Sequence, residues 1–309
     1  MQTVRKSINQ LPELIMKDCT SENLGFGCVA LTTFPFVNQG ITLLETAFDN
    51  GIRFYDTAPG YGAGYSEKIL GKFIKGKRAK VEVSTKFGLG NPNTKVPTHA
   101  ALLLNYLKKS LPVKKRSNPA PYHPAKPSLL TQREIGVREI EQHLASSLDS
   151  LQTDYIDNYL LHEALPHFLT DDSLSFLLKK KSEGVIKNIG VATNYFNISQ
   201  ANNFQHWDIL QYEYGPKNQH FKNLTELVPD KVHIYHSALK GLTFLKRQQL
   251  STAELAGYIL ADCVKRNPGG KVLFSTTSLN NLKDNIRSFE SAIKCGPETL
   301  QTVINYALS

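Results

Sequence analysis

The chain has 309 residues, of which 41% are hydrophobic and 20% charged, with a formal net charge of +9. That balance is globular and excludes a disordered chain, and the length suits one large α/β barrel better than two small domains. No apolar run approaches the ~20 residues of a membrane span, and the N-terminus holds no run of signal-peptide length.

In chain order, short apolar or alternating runs are each followed by a helix-like segment. "NLGFGCVAL" precedes "GITLLETAFDNG", in which Leu43, Leu44, Ala47 and Phe48 repeat at helical spacing up to Asn50-Gly51. The strand "IRFYDT" leads to the helix "SEKILGKFIKG", and the alternating "KVEVSTKFG" leads to a long irregular stretch. Next come the amphipathic helix "REIGVREIEQHLASSLDSL", the strand "DYIDNYLLHE", the helix "SLSFLLKKKSEG" closed by Gly184, and the strand "VIKNIGVATN". The pattern finishes with the strands "WDILQYEY" and "DKVHIYHSAL", the helix "TAELAGYILADCVKRN", the strand "GKVLFSTT" and the helix "LNNLKDNIRSFE". About eight strands alternate with helices without a shift of composition, which predicts a (β/α)8 TIM barrel forming a single domain over 1–309. An open doubly wound sheet would share the periodicity.

The irregular stretch, from about Gly90 to Thr131, is longer than an ordinary barrel connection. It follows the strand that holds Lys86, so it would overhang the C-terminal mouth, as a substrate-side lid or as a disordered loop. Much of the positive charge sits inside it, in "KKSLPVKKRSNPAPYHPAK" from Lys108 to Lys126. A basic, Pro-rich run reads first as a solvated loop, so neither nucleic acid nor a membrane is expected as a partner. A protein partner docking on that loop is the alternative. Cys19, Cys28, Cys263 and Cys295 lie far apart with no C-x-x-C pair, which argues for reduced thiols in a cytoplasmic protein and against a structural metal.

Asp56 ends "IRFYD", Lys86 ends "VEVSTK" and His162 ends "DYIDNYLLH". In a parallel barrel those ends converge on one face, where active sites are built. Tyr61 stands in the Gly-rich loop after the first of them, and the glycines allow a tight turn that brings its phenol over the mouth. A phenol has a pKa near 10 and exchanges protons near neutrality only if its anion is stabilised. A nearby ammonium lowers that pKa, a carboxylate holds the ammonium in place, and an imidazole can donate to a developing alkoxide. Asp56, Lys86, Tyr61 and His162 supply that set. Tyr65 competes with Tyr61 for the donor role, and the spacing from Asp56 favours Tyr61.

The segments "DTAPGYGAGYSEKILG", "STKFG", "SLDSLQTDYIDNYLLH", "GVIKNIGVATN" and "LQYEY" resemble, in order and spacing, the landmarks of the aldo-keto reductase family. They run from about Gly25 to Asn285, and their form is similar to the sugar and aldose dehydrogenase branch. The resemblance implies hydride transfer between NADP(H) or NAD(H) and the carbon of an aldehyde, ketone or sugar hemiacetal. It implies a catalytic tetrad on Asp56, Tyr61, Lys86 and His162, with Tyr61 as proton donor and acceptor. It places the nicotinamide carboxamide on Thr193, Asn194 and Gln211, with Thr193 where Ser is usual. His236, with Ser237 beside it, stands at the position of the aromatic that stacks on the nicotinamide ring. Toward the adenosine phosphates it points to Ser275, Thr276, Ser278, Asn281 and Asn285. Ser275 and Asn281 occupy positions that are basic in members preferring the phosphorylated cofactor, so relaxed or NAD-leaning use is expected, unless Lys271, Lys283 or Arg287 reach the site. A non-catalytic barrel that senses redox state or docks a partner is the alternative.

Two other motifs lead elsewhere. "GFGCVA", Gly25 to Ala30, has the G-x-G-x-x-A form of a dinucleotide fingerprint, but "LTTFPF" follows where a helix should begin. Its glycines are expected to let the first strand approach the cofactor. "HEALPH" superficially resembles a zinc helix, yet its histidines are five apart and Pro166 interrupts it. Glu163 within it reads as a solvent-exposed acid or as a substrate-side residue. Trp207 reads as core or rim packing before it reads as pocket lining.

Overall fold

Eight parallel strands close into a barrel in sequence order, each followed by helical structure that crosses back outside it. The strands are β1 (Leu24–Gly27), β2 (Phe54–Asp56), β3 (Glu82–Phe87), β4 (Ile156–His162), β5 (Ile186–Ala192), β6 (Ile209–Glu213), β7 (Val232–His236) and β8 (Lys271–Phe274). The barrel closes where β1 pairs with β8, Leu24 opposite Val272. The computed structural model describes residues 20–89, 97–110, 133–201, 204–218, 224–246 and 249–309.

The helices are α1 (Val37–Asp49), α2 (Tyr65–Ile74), α3 (Thr98–Ser110), α4 (Val137–Leu151), α5 (Asp171–Ser182), α6 (Tyr195–Gln200), α7 (Leu224–Leu227), α8 (Thr252–Lys265), α9 (Leu279–Ala292) and α10 (Pro297–Leu308). Sequence dictates their limits. Helix α1 buries Val37, Gly40, Leu43, Leu44 and Ala47, one stripe at three- and four-residue spacing, and ends at Asn50 before a left-handed Gly51. Ser251 and Glu254 form a capping box at the start of α8, Ser278 caps α9, and Thr170 caps α5.

Alternation along the strands separates two cores. Phe54, Leu160, Ala192, Ile209, Ile234 and Leu273 pack together inside the barrel, and the larger cluster lies between the strands and the helices. Below the inner plug a polar row crosses the barrel, where Asn158 donates to Glu82 at 2.8 Å and Asn188 donates to Asn158 at 3.0 Å.

Three expectations change. The stretch from Gly90 to Thr131 contains a helix, α3, of 13 residues; residues 90–96 and 111–132, and with them the lid reading and most of the basic run, lie outside the described residues. A further helix, α10, follows the last one expected, with Pro297 in its first turn and Leu300, Ile304 and Ala307 buried. Gly25 serves packing rather than an approach to a ligand. A side chain there would stand 2.5 Å from Leu273 Cδ2 and 2.7 Å from Phe54 Cδ1, inside the barrel plug. Gly27, two residues on, is the one that reaches the mouth.

Candidate active site

The C-terminal ends of the strands surround a cavity of ≈ 400 Å³. The inward alternation that buries Phe54 and Leu160 also points Asp56 and His162, two residues further on, into it. Strand register does the rest: Asp56 lies opposite Ser84, two residues before Lys86, and His162 lies opposite Ala192.

Lys86 is almost fully buried. Its Nζ donates to Asp56 Oδ1 and Oδ2, both at 2.8 Å, and to Thr57 O at 2.7 Å. Burial opposes the ammonium charge, but the Asp56 carboxylate and the Tyr61 phenol outweigh it and hold Lys86 above the ordinary lysine value. The same Nζ lies 5.0 Å from the centre of the Tyr61 ring.

Tyr61 is positioned by a short turn that only small residues can make. Gly62, Ala63 and Gly64 all have positive φ, at 56°, 56° and 89°, and α2 starts immediately after them. The start of α2 is pinned through Ser66, whose Oγ donates to Cys28 O at 2.8 Å and pairs with Thr57 Oγ1 at 3.1 Å. Tyr61 lines the cavity, edge-on to His162 with ring centres 6.3 Å apart. Tyr65 is buried at the first position of α2 and stays out of the cavity.

Sequence chemistry anticipates a phenol pKa lowered by Lys86. The structure gives the opposite direction: burial raises it, and Lys86 offsets only part of that. Tyr61 therefore keeps its proton at neutral pH. Burial, then Lys86 and His236, push His162 down to about 3, so its imidazole is neutral. Burial, then Lys86 and Lys240, push His236 down to about 4.

The remaining expected residues divide into three groups. Gln211, His236, Ser237 and Ser275 line the cavity with the tetrad. Gln211 Nε2 donates to Asp56 Oδ1 at 3.1 Å, and its Oε1 is buried with no partner among the described residues. Thr193 and Asn194 are buried at the end of β5 and do not line the cavity. Thr193 donates to Glu163 Oε2 at 3.2 Å and accepts from Asn197, and Asn194 Oδ1 caps α6 through Asn197 N at 2.8 Å. Thr276, Ser278, Asn281 and Asn285 gather around the start of α9, outside the cavity; Thr276 accepts from Ser278 N and Ser278 from Asn281 N.

The basic candidates near β8 do not supply the missing pair. Lys271 begins the strand, at the end away from the mouth, and donates to Glu22 O at 2.9 Å. Arg287 is exposed and lies 3.6 Å from Asp284, and Lys283 is exposed. Lys240, in the turn after β7, is a charged lining residue that the sequence reading did not single out, and Glu163, read first as an exposed acid and second as a substrate-side residue, is half-buried on the cavity wall, in line with the second reading. The turn composition "SALKG" held the signal for Lys240, whereas no local signal decided between the two readings of Glu163. Trp207 packs in the outer core.

No group of three or more His, Cys, Asp or Glu side chains suited to a metal occurs among the described residues, and no helix among them is long and apolar enough to cross a membrane. Histidines 162 and 167 are separated, one at the end of β4 and the other in the helical turn Pro166–Phe168.

Comparison with known proteins gives one consistent answer. The model of the aldo/keto reductase family matches residues 23–252. The aldo-keto reductase YhdN of Bacillus subtilis is 32% identical over 167 residues, 53% of this chain and 39% of that protein. The NADH-specific methylglyoxal reductase of Escherichia coli is 29% identical over 293 residues, 88% of this chain and 77% of that protein. The match thus spans well under half of the first relative and about three quarters of the second. The holo form of aldo-keto reductase AKR11C1 from Bacillus halodurans superposes with a TM-score of 0.66 at 20% identity, covering 92% of each chain, and so shares the fold.

Proposed function

This chain belongs to the aldo/keto reductase family, and we propose that it is an NAD(P)-dependent oxidoreductase acting on an aldehyde, ketone or sugar hemiacetal. The observation that carries the reading is the buried Lys86–Asp56 pair beneath a protonated Tyr61 and beside a neutral His162, all four facing one cavity at the barrel mouth.

The residues around that cavity fit a nicotinamide. Gln211, on the cavity wall, has a buried Oε1 with no partner among the described residues. The N–H of an amide is ligand chemistry that satisfies it. Gln211, Asn194 and Thr193 would hold the carboxamide, His236 and Ser237 would flank the ring, and Ser275, Thr276, Ser278, Asn281 and Asn285 would meet the adenosine end. When bound, the cofactor supplies or accepts the hydride.

In the reducing direction the carbonyl oxygen gains negative charge and takes its proton from Tyr61. Lys86 stabilises the phenolate left behind, and Asp56 keeps Lys86 charged and in place. Neutral His162 donates a hydrogen bond to the same oxygen, which sets the substrate's orientation. In the oxidising direction Tyr61 takes the proton back. Since β8 and α9 present hydroxyls and amides instead of a basic pair, the site favours NADH or accepts both cofactors. The name of the Escherichia coli relative, an NADH-specific reductase of a small carbonyl, is in line with this. Nothing observed favours the non-catalytic alternative.

Calorimetric titration with NADH and NADPH at physiological salt, alongside turnover of a panel of small aldehydes, tests the reading. Binding of NADH at least as tight as NADPH, with turnover, is expected. Failure to bind either cofactor sinks it.

A further inference from the structure

Glu163 has a conformation and a position that the reaction as described does not use. In a continuing strand it would point to the opposite face from His162. Instead its φ is 50°, in the left-handed region that a residue with a side chain rarely occupies, and both side chains line the same cavity. The turned backbone is held by Glu163 N donating to Ala192 O at 2.8 Å. One carboxyl oxygen, Oε2, accepts from Thr193 at 3.2 Å, and the other has no partner among the described residues. Asp56, the other carboxylate on the cavity wall, has both oxygens occupied by Lys86. Glu163 is thus the lining carboxyl with an acceptor to offer, and it follows directly on the residue that holds the substrate's oxygen.

We propose that Glu163 recognises a hydroxyl on the carbon next to the reacting carbonyl, so that the enzyme prefers 2-hydroxyaldehydes and aldoses to unsubstituted aldehydes of the same size. The inference rests on the oxidoreductase reading above. His162 and Tyr61 both carry donors and converge on the carbonyl oxygen, whereas a neighbouring hydroxyl is itself a donor and needs an acceptor. Glu163 Oε1 supplies it. Burial raises the Glu163 pKa, and Thr193 partly opposes this; in either protonation state the carboxyl can accept from a hydroxyl.

The test compares kcat/KM for glyceraldehyde and propanal in wild type, Glu163→Ala and Glu163→Gln, with NADH dissociation constants measured separately by fluorescence titration. Wild type is expected to prefer glyceraldehyde by about 10- to 100-fold, the range for a hydrogen bond to a charged group. Glu163→Ala should collapse that ratio, chiefly through glyceraldehyde, and Glu163→Gln, which keeps a carbonyl oxygen, should restore part of it. Equal losses on both substrates with weakened NADH binding would overturn the proposal and make Glu163 a positioning residue for Thr193. Turnover of both aldehydes without a wild-type preference would also overturn it and leave the oxidoreductase reading intact. Absence of turnover on either, with any nicotinamide cofactor, would remove both.

Discussion

At the N-terminal end of the barrel, Asp157 accepts from Arg78 at 2.6 Å, Lys187 at 2.7 Å and Val83 N at 2.9 Å, and Asp208 accepts from Lys181 and from Ile189 N. At the C-terminal mouth Gln211 Oε1 has no partner among the described residues, His162 and His236 are held neutral, and Glu163 and Ser237 adopt left-handed backbone. One end binds its charges to each other and to strand edges; the other keeps polar atoms uncommitted within a cavity. The contrast separates residues that hold the barrel together from residues available to a ligand, and it predicts different consequences for equally buried charges.

The sharpest way to break the comparison is to remove one charge at each end. Lys86→Met leaves Asp56 buried without its counter-charge, so stability to urea should fall by about 3–5 kcal/mol and turnover should vanish. Asp157→Ala loses charge-assisted bonds whose donors reach water more readily, so stability should fall by roughly 2–3 kcal/mol while the folded fraction keeps its activity. Lost activity in that folded fraction would mean that the two ends are not independent.

A smaller effect follows from the histidines. The folded pKa of His162, about 3, lies below the unfolded value near 6.5, so the unfolded chain binds the extra proton first. Its contribution is complete above pH ~6.5 and is lost as pH falls toward its folded pKa. By about pH 5.5 that loss is about 1.4 kcal/mol, and His236 adds to it in the same direction. Thermal melts from pH 7 to 5 in wild type and in a His162→Gln variant check this; equal slopes in the two would contradict it.

The smallest effect concerns the cofactor's phosphate. Asn281→Arg, at the exposed start of α9, should tighten NADPH binding by about tenfold over NADH, with the gain shrinking as salt rises. An unchanged ratio would place the adenosine phosphate elsewhere.

Local sequence carries the strands and the meeting of Asp56, Tyr61, Lys86 and His162 at one cavity because each is a strand-end residue or lies in a turn, set by alternation and by glycine. The spacing of Leu300, Ile304 and Ala307 with Pro297 was a readable helix signal, and α10 follows from it. Other features need the closed barrel. The bond from Gln211 to Asp56 joins residues 155 positions apart. The direction of the Tyr61 shift depends on how much water the mouth excludes, which opposes the attraction of Lys86 and exceeds it. Glu163 turns inward by a left-handed backbone with no glycine to announce it. The Lys271 side chain illustrates the converse: its place at the first position of β8 already puts it at the wrong end for a phosphate.

The central claim is that Tyr61 moves the proton from within a site whose cofactor contacts lie on other strands. It is tested most directly by kcat for small aldehydes in Tyr61→Phe, with NADH binding titrated calorimetrically on the same preparation. A fall in kcat of about 10²- to 10⁴-fold with an unchanged dissociation constant is the predicted result. Turnover close to wild type in that variant would contradict it and move the proton transfer to another group.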